Sequence, residues 1–363
     1  MAPLTTHLEP TTVLMPAFLS VFVPMAVAAL VLVAFFTYVW FKYVPIVARI
    51  FEQAPVFQPL RTLPTPGGEI VEFQTRDGLT LLGDYYPTHA PKRAGVVVFC
   101  HEFLGNRHSA HPYADSLLDA GFDLFTFDFR AHGASESEPG VDPIQWVSDR
   151  DKRDLRAALD YLKTRDDRDP SGVALFGVSR GGGVSLCLAA EDPSVWAVAT
   201  DGAFPTHETM LSYVLRWAEI YVGNMNFWGR LPRSFFGFAA WAGRFQAQRK
   251  LHRRFPNVER AAARLGPRPW LAIHGARDTY IGPEIARDLV SRASGPTELW
   301  IVPDAKHNRC REIAPELYRE RLSTFFVRFA PRQAFVEETN SSVETDPESA
   351  LAPLGAARVR VTG

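Results

Sequence analysis

Residues 173–190 read VALFGVSRGGGVSLCLAA, an apolar run that crosses a serine and enters a second apolar run with no loop between them. The first run, Val173 to Phe176, suits a buried parallel strand, and the second, Val184 to Ala190, suits a buried helix. A strand that becomes a helix in so few residues must turn sharply at Ser179. Gly177 and Gly181 stand two residues either side of it, where bulkier side chains would strike the neighbouring strand and helix. G-x-S-x-G alone arises often by chance, so its surroundings must carry the argument.

Those surroundings alternate short apolar strands with helical stretches. EIVEFQTRDGLTLLGDYYP has two strand-like runs around Arg76, Asp77 and Gly78, a hairpin signal. Strands are then expected at Gly95–Cys100, Phe122–Asp128, Ala197–Thr200, Trp270–Ile273 and Glu298–Val302. Helices are expected at Pro112–Ala120, Asp149–Thr164, Pro283–Arg292 and Ala314–Phe329. This order predicts an α/β fold: a mostly parallel sheet with helices on both faces. No internal repeat is visible.

In such a sheet, chemistry gathers at the carboxyl ends of the strands. IHGARDTYI puts Asp278 after one predicted strand, and PDAKHNRC puts His307 after the next. The chain order Ser179, Asp278, His307 is that of a nucleophile elbow followed by its acid and base, so the chain resembles the α/β-hydrolase family over roughly residues 69–330. DFRAHGAS, Asp128 to Ser135, resembles the D-x-R-G-H-G-x-S turn of many members, with Ala131 in place of a glycine. The resemblance implies that His307 takes the Ser179 proton and that Asp278 orients the imidazole. Asp201 in ATDGAF is the rival acid, at a strand end where some members carry it. His101 and His132 are rival bases, both in turns where histidine commonly bonds backbone groups.

A tetrahedral intermediate also needs backbone N–H donors aimed at its oxyanion. Arg180, directly after the serine, is one candidate. The resemblance assigns Phe103, in HEFLGNR, as the other. Here Glu102 stands where the family usually has glycine. Its carboxylate either points away from the reaction or sets negative charge beside a developing anion.

The domain is expected at 69–330 with a helical cap inserted at about 203–265. That insertion carries Trp217, Tyr221, Phe227, Trp228, Phe235, Phe236, Phe238, Trp241 and Phe245 among many arginines. Its aromatics either pack on the domain or shape an apolar acyl pocket, with the arginines solvated or leaning on anionic lipid headgroups.

No charged residue occurs between Glu9 and Lys42, a stretch longer than the ~20 residues that cross a bilayer. Residues 13–43 are read as an uncleaved transmembrane anchor, closed by the aromatic belt of Tyr38, Trp40 and Tyr43, after a tail at 1–12. A cleaved signal peptide would need a basic leader, and the first nine residues have no Lys or Arg. Lys42, Arg49 and Arg61 follow the span, so the hydrolase domain is expected on the cytoplasmic side, with export behind an uncleaved signal-like anchor as the alternative. Residues 44–68 are read as a proline-rich linker or a segment along the membrane surface, and 331–363 as a disordered tail.

The net charge of -1 gives no general attraction for nucleic acid, and three scattered cysteines give no disulfide scaffold. The expected protein is a membrane-anchored serine hydrolase acting on an acyl ester or thioester, with membrane lipid as its other partner and no metal or organic cofactor. A silent domain of the same fold, binding a lipid or protein partner, is the alternative. Glu102 is its best support.

Overall fold

The structure, a computed structural model, describes residues 11–52, 60, 62–221 and 232–331. Residues 1–10 of the expected N-terminal tail and 332–363 of the expected C-terminal one lie outside the described residues. So do 222–231 of the expected cap, with Phe227 and Trp228.

Eight strands form one sheet: β1 (Glu69–Gln74), β2 (Thr80–Tyr86), β3 (Gly95–Cys100), β4 (Phe122–Phe127), β5 (Val173–Val178), β6 (Val195–Asp201), β7 (Trp270–Gly275) and β8 (Thr297–Val302). Their order is β1-β2-β4-β3-β5-β6-β7-β8. The hairpin β1–β2 is antiparallel, as is the β2–β4 pairing, and every other neighbour pair is parallel. Strands β3, β4, β5 and β7 are buried at every residue, which is why they read as unbroken apolar runs.

Alternate residues feed two cores. On one face Val96, Val98 and Cys100 meet α4 (Asp149–Thr164) and α5 (Arg180–Ala189) through Leu155, Leu159, Val184 and Leu188. On the other, Val97 and Phe99 meet α3 (Ala110–Asp119) and α11 (Pro315–Phe329) through Tyr113, Leu117, Leu322 and Phe326. Helix α4 starts at a capping box in which Ser148 and Asp151 satisfy each other's backbone donors. Pro283 opens α9 (Pro283–Ser291), where its missing N–H costs nothing. The short helix α10 spans Cys310–Ile313.

Among the described residues of the insertion between β6 and β7 lie the helices α6 (Thr206–Tyr221), α7 (Arg233–Leu251) and α8 (Val258–Ala263). The first described element is α1 (Thr11–Lys42), a helix long and apolar enough to cross a bilayer, with side chains from Val21 to Val33 exposed.

The segment read as a linker differs from expectation. Its first part is a helix, α2 (Val44–Glu52), whose Val44, Val47, Ala48 and Phe51 are buried, the last three in a third core with α6 and α7. Those positions fall at i, i+3, i+4 and i+7, one helical face. Pro45 marks the first turn, where proline is tolerated, rather than a break.

Candidate active site

Ser179 occupies the turn between β5 and α5 at φ 52° and ψ -115°, a conformation that an L-residue holds only under strain from its surroundings. Close packing supplies that strain. A Cβ on Gly177 would lie 2.4 Å from the Gly181 carbonyl oxygen, and one on Gly181 would lie 2.1 Å from that of Cys100. A Cβ on Gly182 would meet the Ala203 methyl at 2.9 Å, and one on Gly183 a Val147 methyl at 2.7 Å. Each glycine in VSRGGG therefore permits a specific close approach. The Ser179 N–H donates to the Asp201 carbonyl at 2.7 Å and ties the elbow to β6.

The Ser179 hydroxyl lies 2.9 Å from His307 Nε2, and His307 Nδ1 lies 2.6 Å from Asp278 Oδ2. His307 follows β8 and Asp278 follows β7, so three strand ends converge. Asp278 Oδ1 accepts from the N–H groups of Tyr280 and Ile281, at 2.9 Å each, which fixes the carboxylate plane. Burial pushes the Asp278 carboxyl up, but the hydrogen bond and charge of His307 outweigh it and hold it below its ordinary value. Gly202 lets the ring sit close: a Cβ there would lie 3.2 Å from His307 Cε1.

The rival residues serve other partners. Asp201 Oδ2 accepts from the Tyr318 hydroxyl at 3.0 Å, and burial pushes its carboxyl up to about 6. His101 donates from Nδ1 to the Glu102 carbonyl and accepts from the Phe129 N–H at Nε2. His132 donates to the Arg130 carbonyl, and its Nε2 accepts from the Arg180 guanidinium at 3.3 Å. Burial keeps both rings neutral, lowering His132 to about 3. Ala131, in place of the glycine, sits at φ 58°, and Gly133 is required because a Cβ would lie 2.2 Å from the Asp128 carboxyl.

Arg180 opens α5, so its N–H is among those a helix leaves without an internal partner. Phe103 lies in the turn closed by the Gly105 N–H to the Glu102 carbonyl, at the edge of the same cleft. The Arg180 side chain is buried, 3.3 Å from the Asp151 carboxylate and 5.8 Å from the centre of the Phe103 ring. Glu102 is 1% exposed and turns under its own loop, with Oε2 3.4 Å from the Ser109 hydroxyl. Burial pushes its carboxyl up, favouring the neutral acid. Both the contact with Ser109 and the burial act against a charged carboxylate directed at the oxyanion turn.

The cleft beside Ser179 has about 470 Å³ of space, its open mouth included, and is lined by Phe103, Gln145, Trp146, Ser179, Phe204, Thr209, Tyr213, Tyr280, Ile281 and His307. The cap contributes Phe204 and the first turns of α6. None of the cap aromatics singled out from the sequence lines it among the described residues. Two of those on α7 turn to α1 instead: Phe235 lies 5.6 Å from Phe35 and Phe238 lies 5.1 Å from Phe36. Trp146 was missed because it falls outside the insertion, in the loop before α4. Thr209 and Tyr213 carry no sequence signal beyond one shared helical face.

Residues 95–228 match the family described as alpha/beta hydrolase fold. An uncharacterised protein of Mycobacterium tuberculosis is 27% identical over 285 residues, covering 78% of this chain and 86% of that protein. The uncharacterised YfhR protein of Escherichia coli K12 is 25% identical over 265 residues, covering 71% and 80%. Among solved structures, an esterase of Pyrococcus furiosus shares the fold at a TM-score of 0.56 and 23% identity, covering 77% of this chain and all of that one. The hydrolase GrgF of a Penicillium species does so at 0.54 and 22%, covering 74% and 99%.

Proposed function

We propose, from the premise that this chain is a member of the α/β-hydrolase fold family, that it is a membrane-anchored serine hydrolase cleaving esters or thioesters of apolar acyl groups. The observation that carries the reading is the unbroken line from Ser179 Oγ through His307 to Asp278, with links of 2.9 and 2.6 Å.

Ser179 Oγ attacks the acyl carbon as His307 Nε2 takes its proton, and Asp278 holds the Nδ1–H and stabilises the imidazolium. The N–H groups of Phe103 and Arg180 receive the oxyanion, a contribution of about 3 kcal/mol for each donor. His307 then protonates the leaving alkoxide or thiolate as the C–O or C–S bond breaks, leaving the acyl group on Ser179. A water deprotonated by His307 attacks the acyl-enzyme, releasing the acid and restoring the hydroxyl. The ring-lined cleft favours an apolar acyl chain.

The exposed apolar surface of α1 supports the anchor, and Lys42, Arg49 and Arg61 support a cytoplasmic hydrolase domain. C-terminal reporters active on only one side of the membrane test that orientation; signal from the exported reporter alone overturns it. For the chemistry, the test is labelling of the full chain with a fluorophosphonate. Covalent capture at Ser179, lost in Ser179→Ala, is expected. A folded protein that stays unlabelled and inert toward esters sinks the reading.

A further inference from the structure

Four aromatic rings form a continuous path from α1 onto the cap. Phe36 meets Phe238 at 5.1 Å between centroids, Phe238 meets Trp241 at 6.0 Å, and Trp241 stacks on Phe245 at 5.9 Å and 13°. The last three are at i, i+3 and i+7 of α7, one stripe along its surface. The path stays open to its surroundings: Phe36, Trp241 and Phe245 are 39%, 49% and 39% exposed. The opposite face of α7, with Phe236, Ala239, Ala240 and Ala247, is buried in the core shared with α2 and α6. A soluble cap has no reason to present stacked aromatics opposite its own core face.

The position of the stripe along α1 indicates what covers it. The Lys42 ammonium lies 5.0 Å from the Tyr38 ring and 5.4 Å from that of Tyr43, a cation held among aromatics as at a membrane–water interface. Phe36 is six residues earlier, about 9 Å deeper along the helix axis. Helix α7 touches α1 at Phe36, so its stripe starts on the lipid side of Lys42. That depth matches the ~5–10 Å to which interfacial helices sink. At the far end, the Arg249 guanidinium lies 5.9 Å from the Phe245 ring, placed to reach an anionic headgroup while its stem covers apolar surface. A groove between Leu32, Phe36 and Trp40 of α1 and Phe238 of α7 joins the two surfaces into one apolar face.

We infer that the stripe Phe238, Trp241 and Phe245 of α7 inserts into the lipid interface of the bilayer that α1 crosses. The hydrolase domain is then seated on the membrane through its cap rather than held on a free tether. This rests on the anchor reading of α1. Helix α6 links the seat to the chemistry, since Thr209 and Tyr213 line the cleft while Met210, Leu211 and Val214 pack in the core shared with α7. The substrate class follows: acyl esters that partition into the bilayer.

The test uses the full chain in vesicles of phosphatidylcholine and phosphatidylglycerol, labelled with an environment-sensitive fluorophore at one introduced cysteine. The three native cysteines are buried. A probe at Phe245→Cys should be quenched by lipid-borne nitroxide and shielded from aqueous iodide, as should one at Val31→Cys in α1. Iodide access at 245 with lipid quenching at 31 overturns the seated cap and leaves the anchor standing. Loss of lipid quenching at both positions removes the anchor and this inference with it. In a second measurement, the Trp241→Ser, Phe245→Ser protein should keep kcat/KM within about twofold on a dissolved butyrate ester and lose about tenfold or more on an ester embedded in vesicles. Equal loss on both substrates, or on neither, overturns the proposal.

Discussion

Asp201 ends β6 and Asp278 follows the neighbouring β7, and the two take different partners: Asp278 Oδ2 accepts from His307 Nδ1 at 2.6 Å, whereas Asp201 Oδ2 accepts from the Tyr318 hydroxyl at 3.0 Å. Only Asp278 can therefore fix the tautomer that leaves Nε2 free to accept from Ser179. Asp278→Asn should lower kcat on a p-nitrophenyl ester by about 10⁴, because the amide favours the wrong tautomer. Asp201→Asn keeps an acceptor for Tyr318 and should stay within about tenfold of the native rate, a loss of positioning alone. Rates that fall in the reverse order would move the acid to Asp201.

The elbow and the chemistry at the strand ends were legible because backbone constraint and strand order leave direct traces: glycines where a Cβ would collide, and an acid and a histidine each following an apolar run. What covers a surface leaves a weaker trace. Aromatics at 235, 236, 238, 241 and 245 spread around α7, and residue type alone does not tell which face turns to the cleft and which to α1. Helix α2 is too short to stand alone and exists because α7 covers its apolar face, so a reading segment by segment sees only the start of a proline-rich stretch there. The direction of Glu102 depended on Ser109 and Gly105, which fold back beneath it.

Glu102 yields a prediction about pH. Its carboxyl is raised by burial above the ordinary 4.5, so between that value and its folded one the folded state holds a proton that the unfolded chain releases. Stability from this group is then complete at low pH and falls as pH rises through that window. Glu102→Gln, which keeps the neutral shape, should raise the midpoint of thermal unfolding near pH 7.5 and lose that advantage as pH approaches 4.5. Because the carboxyl faces Ser109, kcat should change by less than about threefold, against about tenfold for relief of ~1.4 kcal/mol at the oxyanion. Activity that appears only in the variant would revive the silent-domain reading.

The cleft should measure acyl length. Each methylene buried adds about 0.8 kcal/mol, close to fourfold in kcat/KM, until a wall is reached. Phe204, Tyr213 and Trp146 form the ring-lined side, with Trp146 and Phe204 5.8 Å apart and Trp146 and Tyr213 6.1 Å apart. Activity on p-nitrophenyl esters should climb from acetate toward medium chains and then drop, and Tyr213→Ala should move the optimum to longer chains. A profile that falls from acetate onward in both proteins would point to a small polar site.

The last prediction concerns α2, which joins the apolar helix α1 to the cleft. Phe51 stacks on Phe255 at 4.7 Å and meets Trp146 at 4.9 Å, and the Trp146 indole N–H reaches the Ile50 carbonyl at 3.4 Å. A wall of the cleft is thus buttressed from the segment that follows α1. Removing residues 1–43 deletes the apolar helix and keeps every buried side chain of α2, so that protein, held in mild detergent that covers the α7 stripe, should hydrolyse dissolved short esters within about threefold of the full chain. Removing residues 1–52 uncovers the α7 face that Val47 and Ala48 cover, along with Trp146 and Phe255, an exposed apolar patch. It should aggregate, or lose most activity if it stays in solution. Phe51→Ala in the 1–43 deletion gives a graded version: a cost of about 3–5 kcal/mol in urea unfolding, with a larger loss of kcat/KM on medium-chain esters than on acetate because the Trp146 wall is loosened. If both truncations remain monodisperse and equally active, α2 is a dispensable tether and the buttress has no role in the cleft.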